Sequence, residues 1–278
     1  MLSYTYNTND DPEHQALSPK NSRRSRHTSQ SRTFLSVSTC SRLYGGSRNR
    51  IHSYIKGIEP VDDKYQTFKT TVHLDTWDRT TLVGAGCPWL DVSKWDSQFQ
   101  FGRQTAKGEL NIYGQEVFDI TFDRPYEQVP KIVVWLYAFD LTAGIGLKAY
   151  TTNVTTSGFK LWFEAPGHVI FSSYIYEFKV SWVAVPPNWP NVTSGTVEFS
   201  DSGDHLPEYK TDIRFDKPFP RAPRVLVALN EFRTSSSDGL GIEAKAENVT
   251  AQGMTLSVKS GDGSYIKHGG VQYITIVD

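Results

Sequence analysis

Apolar positions along this chain fall in short runs. Lys131–Phe139 (KIVVWLYAF) is apolar on both alternating faces, while Phe159–Phe163 (FKLWF), Val180–Val185 (VSWVAV), Arg224–Leu229 (RVLVAL) and Met254–Val258 (MTLSV) are rich in β-branched and aromatic residues. That is the signature of buried and half-buried strands, and none of the runs extends into a helical period. Gly, Pro, Asn and Ser/Thr clusters break them at intervals of about 8 to 12 residues, the spacing of an antiparallel sandwich. Asn153–Phe159 (NVTTSGF) and Asn248–Met254 (NVTAQGM) each read as a turn, with a short polar residue able to enter the left-handed region and Gly just before the next strand. Pro125/Pro130 and Pro218/Pro223 fit strand starts or edges, because Pro cannot donate to a ladder interior.

The pattern is repeated. Asp119–Leu136 (DITFDRPYEQVPKIVVWL) returns as Asp212–Leu229 (DIRFDKPFPRAPRVLVAL), followed in turn by Leu147–Phe159 and Ile242–Met254. A period of this length marks repeated domains. A third copy is recovered upstream, where Ile51–Ile58 aligns with Leu147–Val154 and Thr76–Leu90 with the segments ending Ser181-Trp182-Val183 and Gln272-Tyr273-Ile274. Its front half, with Phe34–Leu43 set against Pro130–Phe139, is degenerate. The expected organisation is a Ser/Arg-rich disordered tail over 1–32, a partial repeat over 33–93 and full repeats over 99–186 and 194–278, each repeat roughly six strands in two small sheets.

Composition adds limits. With 38% hydrophobic and 13% aromatic residues in 278, the chain has ample material for packed cores. No apolar run approaches the length of a membrane span, and no secretory signal is evident, which predicts a cytoplasmic or non-classically secreted protein. The net charge of −1 hides a basic stretch, since Lys20–Arg50 carries one Lys and seven Arg and no acid. Without a stacking platform or groove-reading motif, that stretch predicts no specific nucleic-acid partner. Cys40 and Cys87 have no metal-type spacing and read as buried or free thiols, so neither a metal nor a cofactor is expected.

The order of features resembles the H-type lectin domain of snail agglutinins and slime-mould discoidins. It consists of Phe-x-x-Pro-[Tyr/Phe]-x-x-x-Pro before a strand, an Asn-x-Arg-[Val/Ile] motif, an Asn-Val-Thr-like turn with Gly-Phe, a Thr-Trp loop and a closing Ser-Trp strand. The resemblance implies an all-β fold of tandem small six-stranded antiparallel sandwiches, arranged as a single-chain pseudo-trimer or a homo-oligomer. It also implies non-catalytic binding of glycans with terminal N-acetylgalactosamine or galactose, in adhesion or defence.

Residue by residue, the family's Arg falls on Arg50, with Gly146 and Gly241 in the other copies, and its loop Trp and following polar residue fall on Trp77 and Asp78. A planar guanidinium reaches two hydroxyls, and an aromatic ring covers the apolar face of a galactose-type sugar. In the later copies that loop offers Asp262 and His168, and the family's early Asp falls on Asp204 or, less well, Asn111. Because the family builds pockets between subunits, Arg50, Trp77 and Asp78 are expected to meet Asp204 or Asn111 of another copy. Replacing Arg50 and Trp77 by Ala is then expected to abolish binding without unfolding the chain.

Enzyme motifs are missing: HExxH, GxSxG, a Walker loop or paired Cys do not occur. Gly144-x-Gly146-x-x-Ala149 and Gly239-x-Gly241-x-x-Ala244 mimic a dinucleotide fingerprint, but strand patterns follow them where a helix would be required. Asp75, Asp78 and Asp91 show no spacing that singles out a glycosidase pair. The rival reading is a β-sandwich scaffold that has lost sugar binding.

Overall fold

The computed structural model describes residues 2–7, 22–28, 31–35, 40–44, 48–62, 67–93, 98–106, 110–111, 114–142, 145–166, 174–189, 191–200, 207–234, 239–261 and 265–277, and at 2–44, 56–62, 67–70, 91–93, 111, 234 and 239 it describes the backbone alone. Among these residues every regular element is a strand. A first set comprises β1 (Leu2–Asn7), β2 (Ser22–Thr28), β3 (Ser31–Leu35), β4 (Cys40–Tyr44), β5 (Arg48–Asp62), β6 (Thr67–Asp75) and β7 (Thr81–Ser93). The second comprises β8 (Gln100–Thr105), β9 (Leu110–Asn111), β10 (Gln115–Thr121), β11 (Lys131–Thr142), β12 (Leu147–Thr152), β13 (Gly158–Glu164) and β14 (Tyr174–Val185). The third comprises β15 (Val192–Ser200), β16 (Glu208–Arg214), β17 (Arg224–Thr234), β18 (Gly239–Glu247), β19 (Gly253–Ser260) and β20 (Ile266–Ile276).

These strands form three antiparallel sheets, and every sheet is shared. One runs β2-β6-β5-β11-β14-β8 with β9 also on β14; another runs β10-β13-β12-β17-β20-β15; the third runs β1-β7-β4-β18-β19-β16 with β3 also on β7. Each joins half of one set to half of another, so the three sets close a ring with seams at β5/β11, β12/β17 and β18/β4. The tandem sandwiches are therefore built around a pseudo-threefold arrangement within one chain. The ladders match the copies to one another: Ile51 pairs with Phe139, Leu147 with Phe232 and Ile242 with Ser41. Ser41 thus holds the place of Phe139, a register shifted from the sequence pairing of Phe34–Leu43 with Pro130–Phe139.

The same ladders revise the reading of 1–32 as a tail. Leu2–Asn7 pairs antiparallel with residues 86–91 of β7, Leu2 opposite Asp91 and Asn7 opposite Gly86, and Ser22–Thr28 pairs with residues 67–73 of β6. Both are outermost strands of their sheets. An outer strand has one unpaired side, and charged residues there discourage edge-to-edge association, so a Ser/Arg composition too polar for a core is compatible with an edge.

Two kinds of core hold the ring. Val133, Trp135, Val183 and Val185 meet Leu226, Ala228, Ile274, Ile276 and Leu90 in one cluster, drawing on all three sheets. Trp135 is fully buried there and donates its indole N–H to the Gln272 carbonyl at 3.2 Å, while the Val134 N–H donates to the Gln272 side-chain oxygen. A buried indole needs such a partner. A larger cluster fills the sandwiches, with Phe163 on Phe178 at 4.7 Å and Phe139 on Phe232 at 5.4 Å across sets. Cys87 is buried and free, and burial pushes its thiol up to about 12.

The repeated turn is as the pattern predicts. Asn153 and Asn248 take φ of 51° and 50°. The Thr155 hydroxyl and the Thr250 hydroxyl each accept from a following glycine N–H at 3.2 Å and donate to that glycine's carbonyl, Gly158 or Gly253. A Cβ on Gly158 would lie 2.1 Å from the Ile120 carbonyl oxygen, and one on Gly253 2.2 Å from that of Ile213, so glycine is required at both.

Candidate functional site

The turn from β6 to β7 is fastened to the β5 backbone. The Thr76 hydroxyl donates to the Arg50 carbonyl at 2.9 Å, the Thr80 hydroxyl to the Arg48 carbonyl at 3.2 Å, and the Thr80 N–H closes the turn on the Trp77 carbonyl at 3.3 Å. Between these staples Asp78 takes a φ of 56°, a conformation that Asp tolerates better than most residues. The result is a rigid projection with Trp77 at 37% exposure and the Asp78 side chain at 61%.

Arg50 lies beneath the projection and is 4% exposed. Its Nη2 pairs with Asp78 Oδ2 at 3.2 Å, its Nε donates to Asp140 Oδ2 at 3.2 Å and its Nη1 donates to the Thr80 hydroxyl at 3.3 Å. Asp140 comes from β11 of the second set, directly opposite Arg50 in the ladder. It also receives both fork nitrogens of Arg48, at 3.1 and 2.6 Å, and the Arg48 guanidinium lies 3.7 Å from the Tyr176 ring centroid. Two guanidinium groups and two carboxylates balance at the seam, as a buried charge cluster requires.

This arrangement changes the role expected of Arg50. Its three nitrogens all meet protein partners, and through Nη2 it holds the Asp78 carboxylate in place. What faces solvent is part of the Trp77 side chain and the carboxylate of Asp78, a group able to accept hydrogen bonds. Replacing Arg50 by Ala would therefore disturb folding, contrary to the sequence-based expectation of a clean loss of binding.

Of the other expected residues, Asn111 is in β9 with its backbone opposite Tyr174 of β14, in the sheet that carries Arg50 and at the same end of it. Asp204, Asp262 and His168 lie outside the described residues. Arg48, Asp140, Tyr176 and Thr80 were not singled out from sequence. A signal was available: Asp140 stands in the ladder position held by Arg233 in the third set, a charge reversal at the place facing Arg50.

The second seam is different. A Cβ on Gly146, the counterpart of Arg50, would meet the Phe232 carbonyl oxygen at 2.9 Å and Arg233 Cβ at 3.1 Å. Two residues along, Lys148 pairs with the buried Glu231 at 2.8 Å. Burial is the largest influence on the Lys148 ammonium and opposes its charge, but the Glu231 hydrogen bond and the charges of Glu231, Glu198 and Glu164 together outweigh it and raise the pKa. At the third seam Gly241 faces Arg42. Among the described residues no group of three or more His, Cys, Asp or Glu is placed to hold a metal ion. Gly146 and Gly241 lead into or sit in strands β12 and β18, not helices, which removes the dinucleotide reading.

No curated protein matches the chain. The solved structure of recombinant discoidin II of Dictyostelium discoideum is similar at 10% identity and a TM-score of 0.27, over 99% of this chain and 95% of that one, too loose a likeness to bear on the site. The H-type lectin domain model matches residues 117–185 and 210–276, within the second and third sets. These two segments are identified as H-type lectin domains.

Proposed function

We propose that this lectin binds the terminal N-acetylgalactosamine or galactose of glycans at the seam between its first and second sets, without catalysis, in adhesion or defence. The observation that carries the reading is the projection Trp77–Asp78, held rigid by Thr76, Thr80 and Arg50 against Asp140 of the neighbouring set. A galactose-type ring has one apolar face for the Trp77 ring, while its hydroxyls donate to Asp78. The glycines in place of Arg50 at the other seams support one such site per chain.

Trp77 and Asp78 are exposed, so Trp77→Ala/Asp78→Ala leaves the fold standing and isolates the ligand contacts. On an array of terminal galactose and N-acetylgalactosamine glycans, the expected loss is at least about tenfold, roughly 1.4 kcal/mol, from a protein that is still folded by circular dichroism, its thermal midpoint lowered by the loss of the Arg50–Asp78 pair and by Ala at a positive φ. Binding of those glycans that is undiminished in the variant overturns the assignment. Silence of the folded parent protein on the array favours the scaffold reading, for which the enclosed Arg50 is the supporting observation.

A further inference from the structure

At the other end of the Arg50 sheet, the loop that leads into β11 and the segment that leaves β14 line an open-sided cavity of about 400 Å³. Lys131 and Val185 pair at this end, while Asp140 marks the other. At about 3.3 Å per residue along β11, the two places are roughly 30 Å apart.

The cavity walls are braced in advance. The largely buried Gln100 side chain holds Arg124 at both backbone groups, donating to its carbonyl at 2.7 Å and accepting from its N–H at 3.3 Å. Asn188 ties the walls together by donating its amide N–H to Gln128 Oε1 at 2.7 Å. Trp189 packs edge-on against Phe99 at 5.6 Å, and Tyr126 packs edge-on against Phe122 at 5.1 Å with its hydroxyl donating to the Ala184 carbonyl. Loops held this way need little ordering when a ligand arrives.

The lining selects a class of ligand. Its rings are Tyr126 and Trp189, and its charges, Arg124 and Glu127, cancel. The Asn188–Gln128 bond uses one group of each amide and leaves an acceptor, Asn188 Oδ1, beside a donor, Gln128 Nε2. Neighbouring sugar hydroxyls, which both donate and accept, match such a pair, and the rings and prolines offer apolar surface to the C–H face of a sugar. The volume lies in the range of small-molecule pockets, about 300–1,000 Å³.

We propose that this cavity is a second glycan-binding site, taking a neutral mono- or disaccharide unit at the end opposite Trp77 and Asp78. It rests on its own lining and not on the Arg50 seam. With both sites working, one chain bridges two glycans on facing surfaces.

The test uses the full chain, Gln128→Ala/Asn188→Ala and Trp77→Ala/Asp78→Ala on an array of neutral mono- and oligosaccharides, with the Trp189-dependent part of the tryptophan fluorescence, taken as the difference from Trp189→Phe, as a second readout. Expected is a group of glycans retained by Trp77→Ala/Asp78→Ala and weakened at least about tenfold by Gln128→Ala/Asn188→Ala, with the same sugars perturbing the fluorescence of the Trp77→Ala/Asp78→Ala protein. Gln128 and Asn188 are exposed, so the variant keeps its fold. If every bound glycan depends on Trp77 and Asp78 and none on Gln128 and Asn188, this second site is overturned while the first stands. Silence of all three folded proteins overturns both, and a decaproline peptide that perturbs the Trp189-dependent fluorescence where no sugar does overturns the saccharide assignment.

Discussion

Asp140 faces Arg50 across the seam between two sets, and its Oδ2 is shared between Arg50 Nε at 3.2 Å and Arg48 Nη2 at 2.6 Å. A residue with no ligand contact of its own thereby fixes the charge that positions Asp78.

Asp140→Ala leaves Arg50 buried without its seam carboxylate. Breaking a buried pair of this kind is expected to destabilise the chain by about 3 kcal/mol, read from urea unfolding. Glycan affinity should fall as well, because Asp78 loses a fixed partner. A variant with an unchanged urea midpoint would show that the seam does not depend on this carboxylate.

Restoring the family's Arg at the second seam should fail. Gly146→Arg puts its Cβ against the Phe232 carbonyl oxygen and Arg233, and the crowding is expected to destabilise by about 1–3 kcal/mol without adding a sugar site. Saturation binding by calorimetry checks the second half, and a rise in stoichiometry would contradict it.

The two Asn-Val-Thr turns allow a matched comparison. Gly158→Ala and Gly253→Ala each drive a methyl into a facing backbone carbonyl that cannot rotate away, and each should cost about 3 kcal/mol. Asn248→Ala, which only forces Ala into the left-handed region, should cost about 1 kcal/mol. Thermal unfolding followed by circular dichroism ranks the three, and the reverse order would refute the account of the turn.

His52 carries a pH prediction. Burial, then the Lys179 charge, lowers its pKa below the usual 6.5, with Arg103 acting in the same direction and Glu177 and Asp75 opposing. Near and below pH 6.5 the unfolded chain then binds more protons at this site than the folded one, so its contribution to stability falls as pH drops through that window. His52→Gln should narrow the difference in thermal midpoint between pH 7.5 and pH 5.5 relative to the parent. An equal or larger difference would exclude His52 as a source.

What could be read from sequence was what is local. Asn153, Asn248, Gly158 and Gly253 announce their turns because the backbone conformation and the close carbonyl are met within a few residues or at the adjacent strand. The alternating runs announce their strands for the same reason. The sharing of sheets was not legible, since the pairing of Ile51 with Phe139 depends on two strands from different copies. Asp140 went unnoticed because its partner is set by that long-range register. Ser22–Thr28 was read as a tail because composition registers a lack of core residues but not a place on an edge. Trp77 and Asp78 were found through the family resemblance, whereas the enclosure of Arg50 followed only from the assembled seam.

The closed ring also separates the fates of its three seams. In an assembly of identical subunits, one altered codon changes every interface together, so a substitution that spoils one spoils all. Here the seams are encoded separately: Arg50 with Asp140 at one, Lys148 with Glu231 at the next, and Gly241 facing Arg42 at the third. Each can drift, specialise or become purely structural while the other two keep the ring shut.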